Sequence, residues 1–244
     1  VHVERSGERG GMPVVLVHGG GVAGWMWNPL RRFLPPAWEV IVPDLPGHGG
    51  SAGEPFIAQE RTTLDLRSYL EAEVGKPCAV VGFSFGAQIA VQLASRAPDL
   101  VSHVAVISAQ AKPSRFPKLT LGLLAAAAPL ARRPGFARSQ AKQLFVPDDL
   151  LEDYVRTSSR LTTRTLVRVV EDNIRFTVPS GWPAFGGSAL VLAGQNERGF
   201  MKESARALHQ ALPTSDLAIV DDCGHGIPLQ RPEWLADRLR AQYA

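Results

Sequence analysis

A serine stands between two glycines in Gly82-Phe83-Ser84-Phe85-Gly86, after the branched run Ala79-Val80-Val81 and before a segment of helical spacing. A strand that turns sharply into a helix at such a serine exposes its hydroxyl. It also forces together the residues two before and two after, so both need to be glycine. The helix then aims its first amides and the positive end of its dipole at the hydroxyl. A hydroxyl is a poor nucleophile without a base in hydrogen-bond reach. Among six histidines, His225 in Cys223-Gly224-His225-Gly226 follows the last branched run and precedes the last helical segment. Its flanking glycines leave the ring room to swing over a neighbouring strand end, which suits a general base. His2, His103 and His209 sit in ordinary strand or surface-helix settings.

The imidazole needs a third group to orient it and stabilise its cation. Glu197 is the only carboxylate at the end of the run Ala189-Leu190-Val191-Leu192; Asp222 and Asp172 are its competitors. Acyl transfer also needs N–H donors for the developing oxyanion. The Phe85 amide supplies one. The other is expected from His18-Gly19-Gly20-Gly21, with Gly20 the first choice and Gly21 the second, and with His18 a packing residue. Phe83, Trp25 and Met26 are the expected substrate-binding side chains, forming an apolar pocket for an acyl or alcohol group.

These groups require a scaffold. Six short branched runs, at 14–17, 40–42, 79–81, 104–107, 189–192 and 217–220, alternate with helical patterns. Continuous apolar runs fit strands buried on both faces, so the predicted fold class is α/β, a mostly parallel central sheet with helices on both faces. Val1-His2-Val3 and the glycine-rich residues after it read as a strand returning by a hairpin into the next. The alternation stops at 112–183, which holds no convincing buried strand. An Ala/Leu-rich helix near 119–130 could roof the pocket, and a longer helical pattern runs from about Asp148 to Val170. The expected organisation is a core of 1–111 and 184–244 with a helical cap, or lid, at 112–183.

With 244 residues, 45% of them hydrophobic, the chain can bury a sizeable core. No apolar run is long enough for a membrane span, and no signal-peptide pattern opens the chain. Two cysteines are too few for a disulfide framework and lack metal-ligand spacing. The expected location is cytoplasmic. The formal net charge of +3 does not argue for nucleic acid. Resolved along the chain it is uneven: residues 112–175 hold twelve Lys/Arg against six Asp/Glu, and the remainder fourteen against seventeen. Arg156, Arg160, Arg164 and Arg168 recur every four residues and would form one stripe on a continuous helix. Such a stripe reads either as a solvated face or as a docking surface for an acidic carrier protein or a CoA-type substrate.

Together these motifs resemble the α/β-hydrolase superfamily, in its small serine esterase-like branch. The resemblance runs nearly end to end, through His18-Gly19-Gly20-Gly21, Trp25 and Trp27, Pro43-Asp44-Leu45-Pro46-Gly47-His48-Gly49 with Ser51, the turn at Ser84, and Gly224-His225. The order Ser84, Glu197, His225 is that of the superfamily's triad, whose acid is more often Asp. The resemblance implies an ester- or thioester-cleaving enzyme with an acyl-enzyme intermediate and no metal or organic cofactor. Ser84 speaks against dehalogenase- and epoxide-hydrolase-like relatives, which use Asp. A carbon–carbon bond hydrolase or lyase, and a ligand receptor that keeps the triad, are the alternatives.

Overall fold

The computed structural model describes residues 1–131 and 133–243, without the side chains of 128–131, 134 and 143. Seven strands form one sheet in the order β1-β3-β2-β4-β5-β6-β7. They are β1 (Val3–Gly7), β2 (Met12–Val17), β3 (Trp38–Pro43), β4 (Cys78–Phe83), β5 (Val101–Ile107), β6 (Ser188–Gly194) and β7 (Asp216–Val220). All pair in parallel except β1, which runs antiparallel to β3.

The helices are α1 (Asn28–Arg31), α2 (Gln59–Glu73), α3 (Phe85–Arg96), α4 (Pro117–Ala131), α5 (Pro134–Gln143), α6 (Leu151–Arg160), α7 (Thr163–Arg175), α8 (Gly199–Ala211), α9 (Ile227–Gln230) and α10 (Pro232–Tyr243). Side chains alternate across the strands, so each branched run feeds two cores. Val15, Val17, Val80 and Val106 pack with Leu66 of α2, Ile89 and Leu93 of α3, and Leu208 of α8. Leu16, Val81, Ile107 and Leu192 pack on the other face with Leu30 of α1 and Leu235 and Leu239 of α10. Burial on both faces is what makes the runs continuous rather than alternating.

The expected hairpin between the first two strands is corrected. β1 pairs with β3, from Val3 opposite Pro43 to Gly7 opposite Glu39. Gly7, at φ +82°, has its α-carbon pressed so close to the Trp38 carbonyl that a Cβ would overlap it. Glu39 accepts from the Gly10 amide at 3.0 Å and meets Arg5 at 3.6 Å. The glycine-rich segment does turn, the Gly11 amide donating to the Glu8 carbonyl at 3.0 Å, but it crosses the end of β3, so β1 and β2 lie on either side of β3 rather than pairing.

Helices α4 to α7 all lie between β5 and β6, and no strand occurs there among the described residues. The single helix expected from Asp148 to Val170 is also corrected. Leu161 turns extended, at ψ 121°, and ends α6. Thr162 then caps α7, its side chain accepting from the Thr165 amide at 3.0 Å. The four arginines are exposed but sit on two helices, Arg156 and Arg160 on α6 and Arg164 and Arg168 on α7, so they form no single stripe.

Candidate active site

Ser84 sits between β4 and α3 at φ 53°, ψ −113°, a left-handed strain held from both sides. Its amide donates to the Ile107 carbonyl of β5 at 2.8 Å, and its carbonyl accepts from Ala87 at 3.1 Å and Gln88 at 3.3 Å. A Cβ on Gly82 would overlap the Gly86 carbonyl, and one on Gly86 would overlap the carbonyls of Val17 and His18. The turn therefore packs on its own backbone and on the end of β2, where no side chain fits.

The loops after β6 and β7 are stitched together, with the Gln195 amide on the Val220 carbonyl and the Asn196 amide on the Cys223 carbonyl, both at 2.9 Å. That pairing brings Glu197 beneath His225. Glu197 Oε1 lies 2.7 Å from His225 Nδ1, and His225 Nε2 lies 3.1 Å from Ser84 Oγ. A carboxylate only accepts, so Nδ1 carries the ring proton and Nε2 is free to accept from the serine hydroxyl. The Glu197 side chain is 1% exposed, and its Oε2 is buried with no hydrogen-bond partner among the described residues. The competitors are elsewhere. Asp222 is exposed, and Asp172 accepts from the Gln59 amide at 2.7 Å, with burial raising its pKa.

Two residues without a sequence signal hold the histidine loop. Ser108, at φ 54° just past β5, donates to the His225 carbonyl at 3.3 Å. Gln230 Oε1 accepts from the Gly224 amide at 2.9 Å. The glycines flanking His225 have a different role from the expected freedom to swing. Phe145 and Leu144, just past α5, press on them, and a Cβ at Gly224 would come within 2.6 Å of the Phe145 ring.

The glycine loop after β2 is held by two buried, neutral histidines. His18 Nε2 accepts from the Leu45 amide at 2.9 Å, and its Nδ1–H donates to the Gly19 carbonyl at 2.8 Å. His48 Nε2 accepts from the Gly21 amide at 3.2 Å, and its Nδ1–H donates to the Pro46 carbonyl at 3.0 Å. Burial lowers the pKa of both rings. His48 is brought down to about 3, with repulsion from His18 adding to burial. Gly21, the second choice as oxyanion donor, therefore has its amide engaged. The Gly20 and Phe85 amides have no acceptor among the described residues. A Cβ on Gly20 would come within 2.8 Å of Val169 on α7, so α7 packs close over this loop.

Ser84, Glu197 and His225 open on a cavity of about 460 Å³, also lined by Gln110, Phe145, Asn173, Asn196, Arg198, Phe200, Met201 and Gly224. The three expected pocket residues do not line it. Met26 is fully buried in the core. Phe83 packs on the His225 ring at 5.0 Å between centroids. Trp25 donates to Thr157 Oγ1 at 3.0 Å and meets Tyr154 edge-on, tying its loop to α6. Leu124 and Ala127 of α4 roof a separate cavity of about 130 Å³ that reaches Gly21. The Ser84 cavity is thus walled by α8 and by residues past β5 and in α7, which the sequence did not single out.

A buried amide network fixes part of that wall. Gln88, one turn after Ser84 on α3, donates to the carbonyls of Gln110 at 2.8 Å and Asn173 at 3.0 Å. Its Oε1 accepts from Gln59 Nε2 at 2.8 Å, and Gln59 Oε1 accepts from Gln92 Nε2 at 2.8 Å. Among the four arginines, Arg156 pairs with Asp153 and borders a polar cleft with Arg160, His2 and Asp44. Arg168 donates to the Phe56 carbonyl at 3.4 Å. Among the described residues no group of three or more His, Cys, Asp or Glu is arranged to hold a metal ion.

Comparison with known proteins matches residues 14–238 to the model of the alpha/beta hydrolase family. The chain is 28% identical over 235 residues to the pimeloyl-[acyl-carrier protein] methyl ester esterase of Methylococcus capsulatus, covering 92% of this chain and 84% of that one. It is 26% identical over 258 residues to lipase LipV of Mycobacterium tuberculosis, covering 99% and 97%. A bromoperoxidase from Bacillus anthracis superposes with a TM-score of 0.85 at 19% identity, covering 99% of this chain and 94% of that one, a likeness of fold alone.

Proposed function

The chain belongs to the alpha/beta hydrolase family, and on that footing we propose that it is a serine hydrolase that cleaves a carboxylic ester through Ser84, His225 and Glu197. The observation that carries this reading is the His225 ring bridging Glu197 at 2.7 Å and Ser84 at 3.1 Å. His225 Nε2 takes the Ser84 proton as Oγ attacks the ester carbonyl. Glu197 stabilises the imidazolium that forms. The Gly20 and Phe85 amides stabilise the oxyanion. His225 then returns the proton to the leaving alcohol, and an acyl-serine remains. Water, deprotonated by His225, attacks it and releases the acid with Ser84 restored. Residues 112–183 act as the cap, with α7 closing on the Gly20 loop and Phe145 on the His225 loop.

Carrier-linked esters are the second reading, favoured by the esterase from Methylococcus capsulatus, whose name specifies an acyl-carrier-protein-bound ester. Exposed Arg156 and Arg160 on α6, and Arg164 and Arg168 on α7, are the arginines an acidic carrier would meet. The test is labelling by a fluorophosphonate probe together with turnover of a p-nitrophenyl ester series and a carrier-bound ester. Both labelling and turnover should vanish in Ser84→Ala. A well-folded native chain that neither labels nor turns over any ester would overturn the proposal.

A further inference from the structure

We infer that Arg198 selects the substrate, and that the ester entering the Ser84 cavity carries an anionic oxygen group, a carboxylate or a phosphate, on the part lying beside α8. The inference rests on the ester-hydrolase reading above and adds the chemical class of its substrate.

Among the described residues two charged side chains line the cavity, Glu197 and Arg198. Glu197 is buried and engaged with His225. Arg198 lines the cavity, is exposed, and makes no ion pair among the described residues. Some arginines face a carboxylate, as Arg31 faces Glu4 and Arg96 faces Glu60, and others, Arg160, Arg164 and Arg206 among them, face none among the described residues, so it is the place of Arg198 on the cavity that singles it out. A guanidinium at the edge of a reaction cavity, with both carboxylate and phosphate matched by its fork of donors, is a recognition group in want of a ligand.

The surroundings reinforce it. Arg198 is the cap of α8, and the Gly199 and Phe200 amides at the start of that helix have no acceptor among the described residues. The positive end of α8 thus adds to the guanidinium charge on the same side of the cavity. Phe145, Phe200 and Met201 supply apolar surface for the chain between the ester and the anion. A cavity of about 460 Å³ has room for both. Gln88 pins the Gln110 and Asn173 backbones, so that part of the cavity wall is preorganised.

The experiment compares p-nitrophenyl esters of one chain length that end in a methyl, a carboxylate or a phosphate. Native protein should favour at least one anionic ester in kcat/KM over the neutral one, and the two anionic arms say which anion is preferred. Arg198→Gln should lower that preference at least tenfold, mainly through KM. Arg198→Lys should recover part of it, and Arg206→Gln, on α8 but outside the cavity, should leave it intact. No preference for either anion, or a preference that survives Arg198→Gln, overturns the inference. Should no ester be turned over, the ester-hydrolase reading has failed separately. Calorimetric binding of the same anionic esters to Ser84→Ala, with and without Arg198→Gln, then decides this one: binding that depends on Arg198 supports it, and no such dependence overturns it.

Discussion

Glu197→Gln isolates what the carboxylate beneath His225 contributes. The amide is nearly isosteric, and its oxygen can still accept from Nδ1–H, so the ring keeps its place. What disappears is the charge facing the imidazolium. With Oε1 2.7 Å from Nδ1, the centres of the two charges lie about 4 Å apart, which at an effective dielectric constant of about 20 is worth about 4 kcal/mol. At about 1.4 kcal/mol per decade that corresponds to a loss of about 10³ in kcat. KM for a neutral ester should change little, because in the proposed mechanism Glu197 would act on the substrate only through His225. The buried Glu197 Oε2 has no partner among the described residues. The amide –NH₂ placed there would lack one as Oε2 does, so the number of unsatisfied buried groups is unchanged and stability should change little. The assay is steady-state turnover of a p-nitrophenyl ester, with fluorophosphonate labelling rates and a thermal melt in parallel. Asp222→Asn and Asp172→Asn serve as controls and should retain turnover. A Glu197→Gln variant within tenfold of native kcat would refute the reasoning, as would a matching loss in Asp222→Asn.

Two further outcomes follow from the same geometry. Gly86→Ala should cost more than about 3 kcal/mol, because its Cβ would overlap the fixed carbonyls of Val17 and His18. Gly122→Ala, in α4 with nothing among the described residues within 4 Å of its Cβ, should instead gain about 0.5–1 kcal/mol, and thermal melts of the two would separate them. Acid should loosen the glycine loop after β2. His18 and His48 have folded pKa values below the ordinary histidine value, so below about pH 6.5 the unfolded chain binds more protons than the folded one. Their contribution is complete above that pH and is lost as pH falls, for His48 toward about 3, at about 1.4 kcal/mol per pH unit and group. Urea midpoints at pH 7.5 and 5 would show the fall. His48→Gln should flatten it, and an unchanged pH slope in that variant would contradict the account.

Features that depend on short-range rules are legible in the residues themselves. Glycines around Ser84 are demanded by a turn whose backbone atoms touch. Branched runs mark strands buried on two faces, and one carboxylate stands at the end of β6 to meet the histidine after β7. Their meeting was legible because strand ends in a parallel sheet gather at one edge. Tertiary structure decided what depends on distant partners. The arginine spacing suggested one stripe, but Thr162 found a better use for its hydroxyl as a cap. Gly20 and Gly21 are indistinguishable as letters, and only His48, twenty-seven residues from Gly21, engages one amide and leaves the other free. Trp25, Met26 and Phe83 are as apolar as any pocket lining, yet neighbours from α6, the core and the His225 loop claim them. Phe145, Asn173 and Arg198 reach the cavity instead, from elements separated along the chain. Local sterics are written in neighbouring residues, whereas burial and hydrogen-bond partnership are settled by whichever remote segment arrives.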